Sequence, residues 1–309
     1  MTRALPQLSG DVFICDGGVE TDFIFNRGIP IPEFAGHTLL STDAGRNALA
    51  AYFREFLVLA RDLGTGFILD GQTWKAHSHW AKDLGVTSTE LREINHQSIA
   101  FIAALRDEFQ SNAGPIVLNG IVGPKGDGYA PDAMVSTKEA EEYHREQVSW
   151  LSETNVDMIT ATTFTQASEA AGAVTAANKA ELPIVVSFTV ETDGNLPTGQ
   201  SLSDAIWFVD KATNKGPAYF MINCAHPDHF QHIITDDDWA RRIHGVRCNA
   251  SRKSHAELDA SDTLDAGDPV ELAQQYKEIK KKMPWINIFG GCCGSDLRHV
   301  TEIAKVVTA

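Results

Sequence analysis

Three of the five cysteines stand where thiol chemistry could be concentrated. Cysteines occur at positions 15, 224, 248, 292 and 293; this odd number does not resemble a disulfide framework, so we expect reduced thiols. Cys224 directly follows the run AYFMIN, while Cys292 and Cys293 directly follow INIFGG. If both runs are strands of one parallel sheet, the three thiols meet at the same edge, where barrel enzymes build their active sites.

Three thiolates that meet at one point favour zinc. Soft sulfur ligands suit this ion, and three protein ligands leave the fourth tetrahedral position open for a substrate. The adjacent cysteines can reach one ion only if the backbone turns sharply, which the flanking Gly290, Gly291 and Gly294 permit. Two other interpretations remain open: the thiols are buried core residues, or Cys292 and Cys293 form a reversible redox disulfide.

The elements that must position these thiols follow a simple alternation. Eight short runs rich in β-branched residues recur, each followed by a segment with helical spacing. The runs are VFICD (12–16), GFILD (66–70), IVLNG (116–120), DMITA (157–161), PIVVSF (183–188), AYFMIN (218–223), GVRCN (245–249) and INIFG (286–290). Eight such units predict a closed parallel barrel of the (β/α)8 TIM type rather than an open doubly wound sheet.

The helical segments support the same count. They include DDDWARRI (236–243) after the sixth strand, and two of the others carry N-terminal capping signals at Ser88 and Ser136. We predict one domain over 1–309, because no linker of low complexity divides the chain. The polar, turn-rich stretch 251–269 follows the seventh strand, where it could cover or line the active site.

Composition narrows the class of partner. The chain has 309 residues, 43% of them hydrophobic, and a formal net charge of -15. Such a surface repels phosphate backbones and anionic lipid, so we expect no nucleic-acid or membrane partner. The N-terminus lacks the apolar stretch of a signal peptide, and no run approaches a membrane span. We therefore expect a cytoplasmic protein, which could form a homo-oligomer.

Several segments carry a resemblance to a known family. DGGVET (16–21), INCAHP (222–227) and GGCCGSDLRHV (290–300) resemble the homocysteine S-methyltransferases, with weaker similarity in QTWKA (72–76), GIVGPKGD (120–127) and SFTVETDGNLPTGQSL (187–202). The resemblance implies a β/α barrel with a zinc cofactor held by Cys224, Cys292 and Cys293. It also implies an enzyme of methionine biosynthesis that methylates homocysteine.

The implied reaction needs no general acid. Zinc lowers the pKa of the substrate thiol from roughly 8.5, and the thiolate attacks a methyl carbon of an onium donor such as S-methylmethionine or betaine. A neutral amine or thioether then leaves without a proton. The pocket must tolerate positive charge, which aromatic faces do through cation–π attraction. Aromatic residues on the predicted strand-end loops are Phe23, Phe25, Trp74, Tyr129 and Phe164.

Further substrate-binding residues come from the same resemblance, and two departures qualify it. Asp16, with Gly17 beside it, is expected to hold the amino group of homocysteine.

The sequence departs from the family pattern at two places. The family usually shows a second carboxylate, a glutamate after strand four, but Thr162 stands there. A hydroxyl cannot offset a cationic amine as a carboxylate does. After strand seven, CNASRKSHAELD (248–259) brings Arg252, whose planar guanidinium suits a substrate carboxylate.

Alternatives to homocysteine methylation follow from these departures. A related methyltransferase or demethylase with another thiol acceptor or another donor is one, and a zinc-storing or redox-sensing barrel without enzymatic activity is the other. Extra metal ligands are not needed: His226 lies two residues after Cys224, and we assign it at most a supporting position. His77 and His79 form an HxH pair for which spacing indicates no third ligand.

Overall fold

The computed structural model describes residues 5–109, 111, 113–129 and 133–309. Eight parallel strands close into a barrel in sequence order, each paired with its two neighbours and β1 with β8. The strands are β1 (Phe13–Ile14), β2 (Gly66–Asp70), β3 (Ile116–Val122), β4 (Met158–Phe164), β5 (Ile184–Phe188), β6 (Phe220–Asn223), β7 (Ile243–Cys248) and β8 (Ile288–Gly291). The prediction of a (β/α)8 barrel is confirmed, with every predicted strand present.

Helices fill the connections between the strands. The α-helices are α1 (Val19–Thr21), α2 (Asp43–Leu63), α3 (Ser88–Phe109), α4 (Thr137–Ser152), α5 (Ala167–Lys179), α6 (Leu202–Thr213), α7 (Pro227–Phe230), α8 (His255–Asp259), α9 (Pro269–Lys282) and α10 (Leu297–Thr308). The long helices cover the barrel, and their apolar faces share one core with the outward-facing strand residues. In the described part of the chain, no helix is long and apolar enough to cross a membrane.

Two details of the helices differ from prediction. The segment DDDWARRI forms only a 3-10 turn at Ala240–Arg242, and the helix after β6 is the single turn α7. The three consecutive aspartates of DDDWARRI repel one another, and this segment has few apolar residues to bury. Ser136 caps α4 with Glu139 in a capping box, as predicted. For α3 the cap is Thr87, whose hydroxyl accepts from Glu90 N, one residue earlier than Ser88.

The barrel interior is built in two layers, because alternate strand residues face the same side. The lower layer is apolar and contains Phe13, Ile68, Val117, Met158, Val185, Met221 and Ile288. Two positions further along the strands stand Asp70, Asn119, Thr160, Ser187, Asn223 and Arg247. Hydrogen bonds connect Asn119 to Asp70 at 2.8 Å and Thr160 to Asn119 at 3.0 Å. The polar layer therefore forms the floor on which a site at the C-terminal face rests.

Candidate active site and metal centre

The three cysteines of the sequence prediction converge at the C-terminal face of the barrel. Cys224 is the residue after β6, and Cys292 and Cys293 follow β8. Their Sγ atoms all lie within 4.8 Å of one another. Zinc–sulfur bonds of about 2.3 Å in tetrahedral geometry require sulfurs about 3.8 Å apart. The three-thiol donor set therefore suits zinc, although the sulfurs of Cys224 and Cys292 are in bonding contact and would have to separate to hold the ion. Cys15 and Cys248 are buried elsewhere in the barrel wall.

The expectation of reduced thiols is wrong for two of the three. The Sγ atoms of Cys224 and Cys292 are in bonding contact as a disulfide, whereas Cys293 is free. This is also not the Cys292–Cys293 pair considered from the sequence. The physical reason is the topology: β6 and β8 end at the same point, so residues 68 apart in sequence are brought to a Cα separation of 5.4 Å. The same convergence can serve a disulfide or a metal.

The backbone at the cysteines is constrained. Cys224 has a φ of 53°, in the left-handed region that costs a residue with a side chain about 1–3 kcal/mol. Its carbonyl accepts from Asn249 Nδ2 at 2.9 Å and contacts His255 Nε2 at 2.7 Å, which hold this conformation. After the adjacent pair, Gly294 has a φ of 81°. The sharp turn predicted for this segment is present.

Close packing explains why position 291 is a glycine. A Cβ added at Gly291 would lie 1.9 Å from Ser295 Oγ. That hydroxyl donates to Cys292 O at 2.7 Å and so secures the turn that carries the two cysteines. A larger residue at 291 would displace this turn.

The protein supplies few interactions that would ionise these thiols. Burial raises the pKa of Cys293 to about 11, and the Tyr129 hydroxyl, 3.6 Å from its Sγ, opposes the shift. Thr163 Oγ1 lies 3.9 Å from Cys224 Sγ and Asn223 Nδ2 lies 4.0 Å from Cys292 Sγ. Without a cation the free thiol is neutral at pH 7. A bound metal would supply the charge that makes thiolates.

A cavity of about 420 Å³ opens above the sulfurs. Its wall includes all three cysteines and, among the other residues selected from the sequence, Asp16, Gly17, Phe25, Trp74, Tyr129 and Thr162. Stretch 251–269 contributes Leu258, Asp259 and Leu264, so the prediction that it lines the site is confirmed, although it also contains α8. The strand-end loops thus bring most of the predicted set to one place.

Three predicted residues do not face this cavity. Phe23 and Phe164 are fully buried in the core between barrel and helices. Arg252 points outward instead, where its guanidinium pairs with Asp228 at 2.7 Å and Glu271 at 2.6 Å, and its side chain is 52% exposed. Because its donors are engaged by two surface carboxylates, Arg252 is not placed to bind a substrate in the cavity.

The histidines considered from the sequence have structural partners. His226 Nδ1 accepts from Asp228 N at 3.2 Å and so caps α7. His77 stacks on Tyr143 with ring centroids 3.9 Å apart, and its Nε2 contacts the Tyr143 carbonyl. None of the three histidines 77, 79 and 226 belongs to a metal-type cluster in the described part of the chain.

Arg247 lines the cavity and was missed by the sequence reasoning. Its guanidinium pairs with Asp16 and with Asp70, and its Nε donates to Gly291 O at 3.1 Å. Asp16 also accepts from Tyr52 Oη at 3.1 Å. The indication was available: in the buried strand run GVRCN, an arginine that alternates with Gly245 must face the barrel interior.

The pairing with Arg247 changes the electrostatics of Asp16. Burial raises the pKa of Asp16 to about 6, and the Arg247 guanidinium opposes this shift. The carboxylate is therefore ionised at neutral pH, but its charge is already balanced. An incoming ammonium would have to compete with the guanidinium for it.

Comparison with known proteins adds independent information. A family model described as homocysteine S-methyltransferase matches residues 13–307. The structure is similar to that of the homocysteine methyltransferase MmuM from Escherichia coli, with a TM-score of 0.74 to the oxidised form, 17% identity and 97% coverage of both chains. The TM-score to the metallated form is 0.71, again at 17% identity, with 96% coverage of both chains. At this identity the similarity to MmuM shows the shared fold.

Proposed function

Because the chain belongs to the homocysteine S-methyltransferase family, we propose that it is a zinc-dependent enzyme that transfers a methyl group from an onium donor to the thiolate of homocysteine, giving methionine. The observation that carries the proposal is the convergence of three cysteine sulfurs within 4.8 Å of one another at the floor of a cavity of about 420 Å³. That volume lies in the usual range for small-molecule sites.

The residues that would hold zinc are Cys224, Cys292 and Cys293. When bound, zinc supplies Lewis acidity that lowers the pKa of a substrate thiol and keeps it a thiolate at neutral pH. The protein's part is to position the three sulfurs. Ser295 secures the turn that carries Cys292 and Cys293, and Asn249 holds the backbone conformation of Cys224. Such preorganisation is what a one-step displacement needs.

The reaction balances without an acid from the protein. A new S–CH₃ bond forms as the donor's N–CH₃ or S–CH₃ bond breaks, and the electron pair stays on the donor nitrogen or sulfur. The leaving group is neutral and takes no proton. The cavity wall presents the aromatic rings of Phe25, Trp74 and Tyr129, whose faces can attract the cationic donor. S-methylmethionine and betaine are the first donors to examine.

The acceptor is the less constrained part of the proposal. Thr162 lines the cavity, and its hydroxyl lies 3.4 Å from the Thr160 carbonyl of its own strand. It offers no charge to an ammonium. A related thiol as acceptor, with another methylated donor, is therefore the alternative within the same chemistry.

A methyl-transfer assay tests the proposal. Reduced, zinc-loaded protein is incubated with homocysteine and one deuterated-methyl donor at a time, and labelled methionine is sought by mass spectrometry. We expect product from at least one onium donor, its loss in Cys293→Ser and its retention in Cys248→Ala, which alters a thiol outside the cluster. Absence of product from all donors, with homocysteine and with other small thiols, would sink the proposal.

A redox-sensing barrel is the second candidate, because Cys224 and Cys292 are in disulfide contact. It predicts that oxidation and reduction change the protein's conformation while no thiol is alkylated. The same mass-spectrometric assay separates it from the first candidate, since methylated product is incompatible with a purely redox function.

A further inference from the structure

Six carboxylates line the cavity. In five of them the negative charge is paired, hydrogen-bonded or screened by solvent. Asp16 and Asp70 pair with Arg247. Asp265 accepts from Ser251 Oγ at 2.7 Å, and Asp127 and Asp259 are exposed to solvent, where their charges are screened. The sixth carboxylate is Glu20, in the first turn of α1 and half-buried in the wall.

Glu20 forms no ion pair within the described ranges: no lysine, arginine or histidine lies within ion-pair distance of its carboxylate, and Arg247 acts on it only at longer range. Burial raises the pKa of Glu20 to about 7, and its own backbone N–H opposes this shift. A half-buried carboxylate without a partner costs free energy, which a cationic ligand would recover.

A second acceptor stands beside it. A Cβ added at Gly36 would lie 3.2 Å from Glu20 Oε1 and 2.4 Å from Gln72 Oε1. The two side-chain oxygens, one from the loop after β1 and one from the loop after β2, therefore flank the same point on the cavity wall. An ammonium group has three N–H donors and can bridge two such acceptors.

Two other positions that the family resemblance assigns to the ammonium offer it no free charge. Position 162, where the family resemblance places a glutamate, is a threonine, and the charge of Asp16 is balanced by Arg247. An amino-acid acceptor that enters here brings an ammonium which must find a counter-charge. Glu20 lines the same cavity as Cys293 and the other two cysteines, where the acceptor would react.

We propose that Glu20, assisted by the Gln72 amide oxygen, binds the α-ammonium of the amino-acid thiol acceptor and thereby selects amino thiols over thiols without an amino group. This inference rests on the proposed function, since it assigns the acceptor-binding residue of that site. Glu20 is a specificity residue and takes no part in breaking or forming the methyl bonds.

Direct binding tests this assignment without turnover. Calorimetry at pH 8 on reduced, zinc-loaded protein compares L-homocysteine with 4-sulfanylbutanoate, which is the same thiol acid without the amino group. We expect the wild type to prefer homocysteine by about 10- to 100-fold, the usual range for a charge-assisted contact. Glu20→Gln is expected to reduce this preference to about threefold or less and to leave the affinity for 4-sulfanylbutanoate unchanged.

Two further variants make the test specific. Asp259→Asn alters another cavity-wall carboxylate and is expected to keep the wild-type preference. Thr162→Glu, added to Glu20→Gln, places a carboxylate where the family has one and is expected to restore the preference, which a merely structural role of Glu20 would not allow.

The outcomes separate the two proposals. A wild type that binds both thiols equally, or a Glu20→Gln variant that keeps its preference, overturns the role of Glu20 but leaves methyl transfer standing. Loss of the preference in Asp259→Asn alone would move the ammonium site there and overturn the assignment. A wild type that binds neither thiol overturns both.

Discussion

Arg247 offers the sharpest test of how the site is supported. Its side chain is 16% exposed and stands between the carboxylates of Asp16 and Asp70, which are 3% and 8% exposed. Arg247→Met removes the guanidinium that pairs with both and leaves two buried carboxylates without this counter-charge. Removing one partner of a buried ion pair typically costs about 3–5 kcal/mol.

The cost translates into a measurable shift in melting temperature. With about 2.1 cal/mol/K of unfolding entropy per residue over the 309 residues, 3–5 kcal/mol corresponds to a decrease of about 5–8 °C. The triple variant Arg247→Met, Asp16→Asn, Asp70→Asn removes all three charges and is expected to recover most of the loss, because a neutral set of similar volume is tolerated.

The assay is urea unfolding followed by tryptophan fluorescence and circular dichroism, with calorimetry for the melting temperature. Arg247→Lys serves as the matched control, since it keeps the charge and loses the bidentate geometry, and an intermediate loss is expected. An Arg247→Met variant within about 1 kcal/mol of wild type, or a triple variant as unstable as the single one, would refute the account of the polar layer.

Three further predictions follow from individual contacts. Although burial opposes it, hydrogen bonding with His299 holds the pKa of Asp296 below its ordinary value, so this carboxylate stabilises the protein above pH 4 and loses that contribution as the pH falls. Asp296→Asn should cost about 1 kcal/mol at pH 7 and progressively less as the pH falls below 4, measured by urea titration. Tyr129→Phe removes the hydroxyl beside Cys293, further raises the pKa of that thiol and should weaken zinc binding about fivefold in a chelator competition. Arg252→Ala should leave kcat/KM of methyl transfer within about twofold of wild type, because its guanidinium pairs with surface carboxylates.

Much of the fold could be predicted because it depends on patterns that repeat along the chain. A parallel strand buried on both faces is a nearly continuous apolar run, and eight such runs alternating with helices favour one closed topology. The segment DDDWARRI was assigned wrongly because a connection can be filled by a single turn, and spacing alone does not separate a short helix from a loop.

The site was predictable where it depends on strand ends and missed where it depends on side-chain direction. Cys224 and Cys292 follow strands directly, so topology alone brings them together. Arg252 and Arg247 differ by five positions, yet one lies on the surface and the other in the barrel, because the strand's two-residue alternation ends between them. Glu20 was not selected, since its importance follows from the pairing of its neighbours, which no local pattern encodes.

The central claim is that Cys224, Cys292 and Cys293 together hold one zinc ion, and zinc stoichiometry under reducing conditions tests it most directly. Protein purified in zinc-replete medium is analysed by mass spectrometry of the metal, wild type beside a serine variant at each of the three positions and beside Cys248→Ala. We expect about one zinc per chain in the wild type and in Cys248→Ala, and loss of the metal in each serine variant. A metal-free wild type, or serine variants that keep their zinc, would contradict the account.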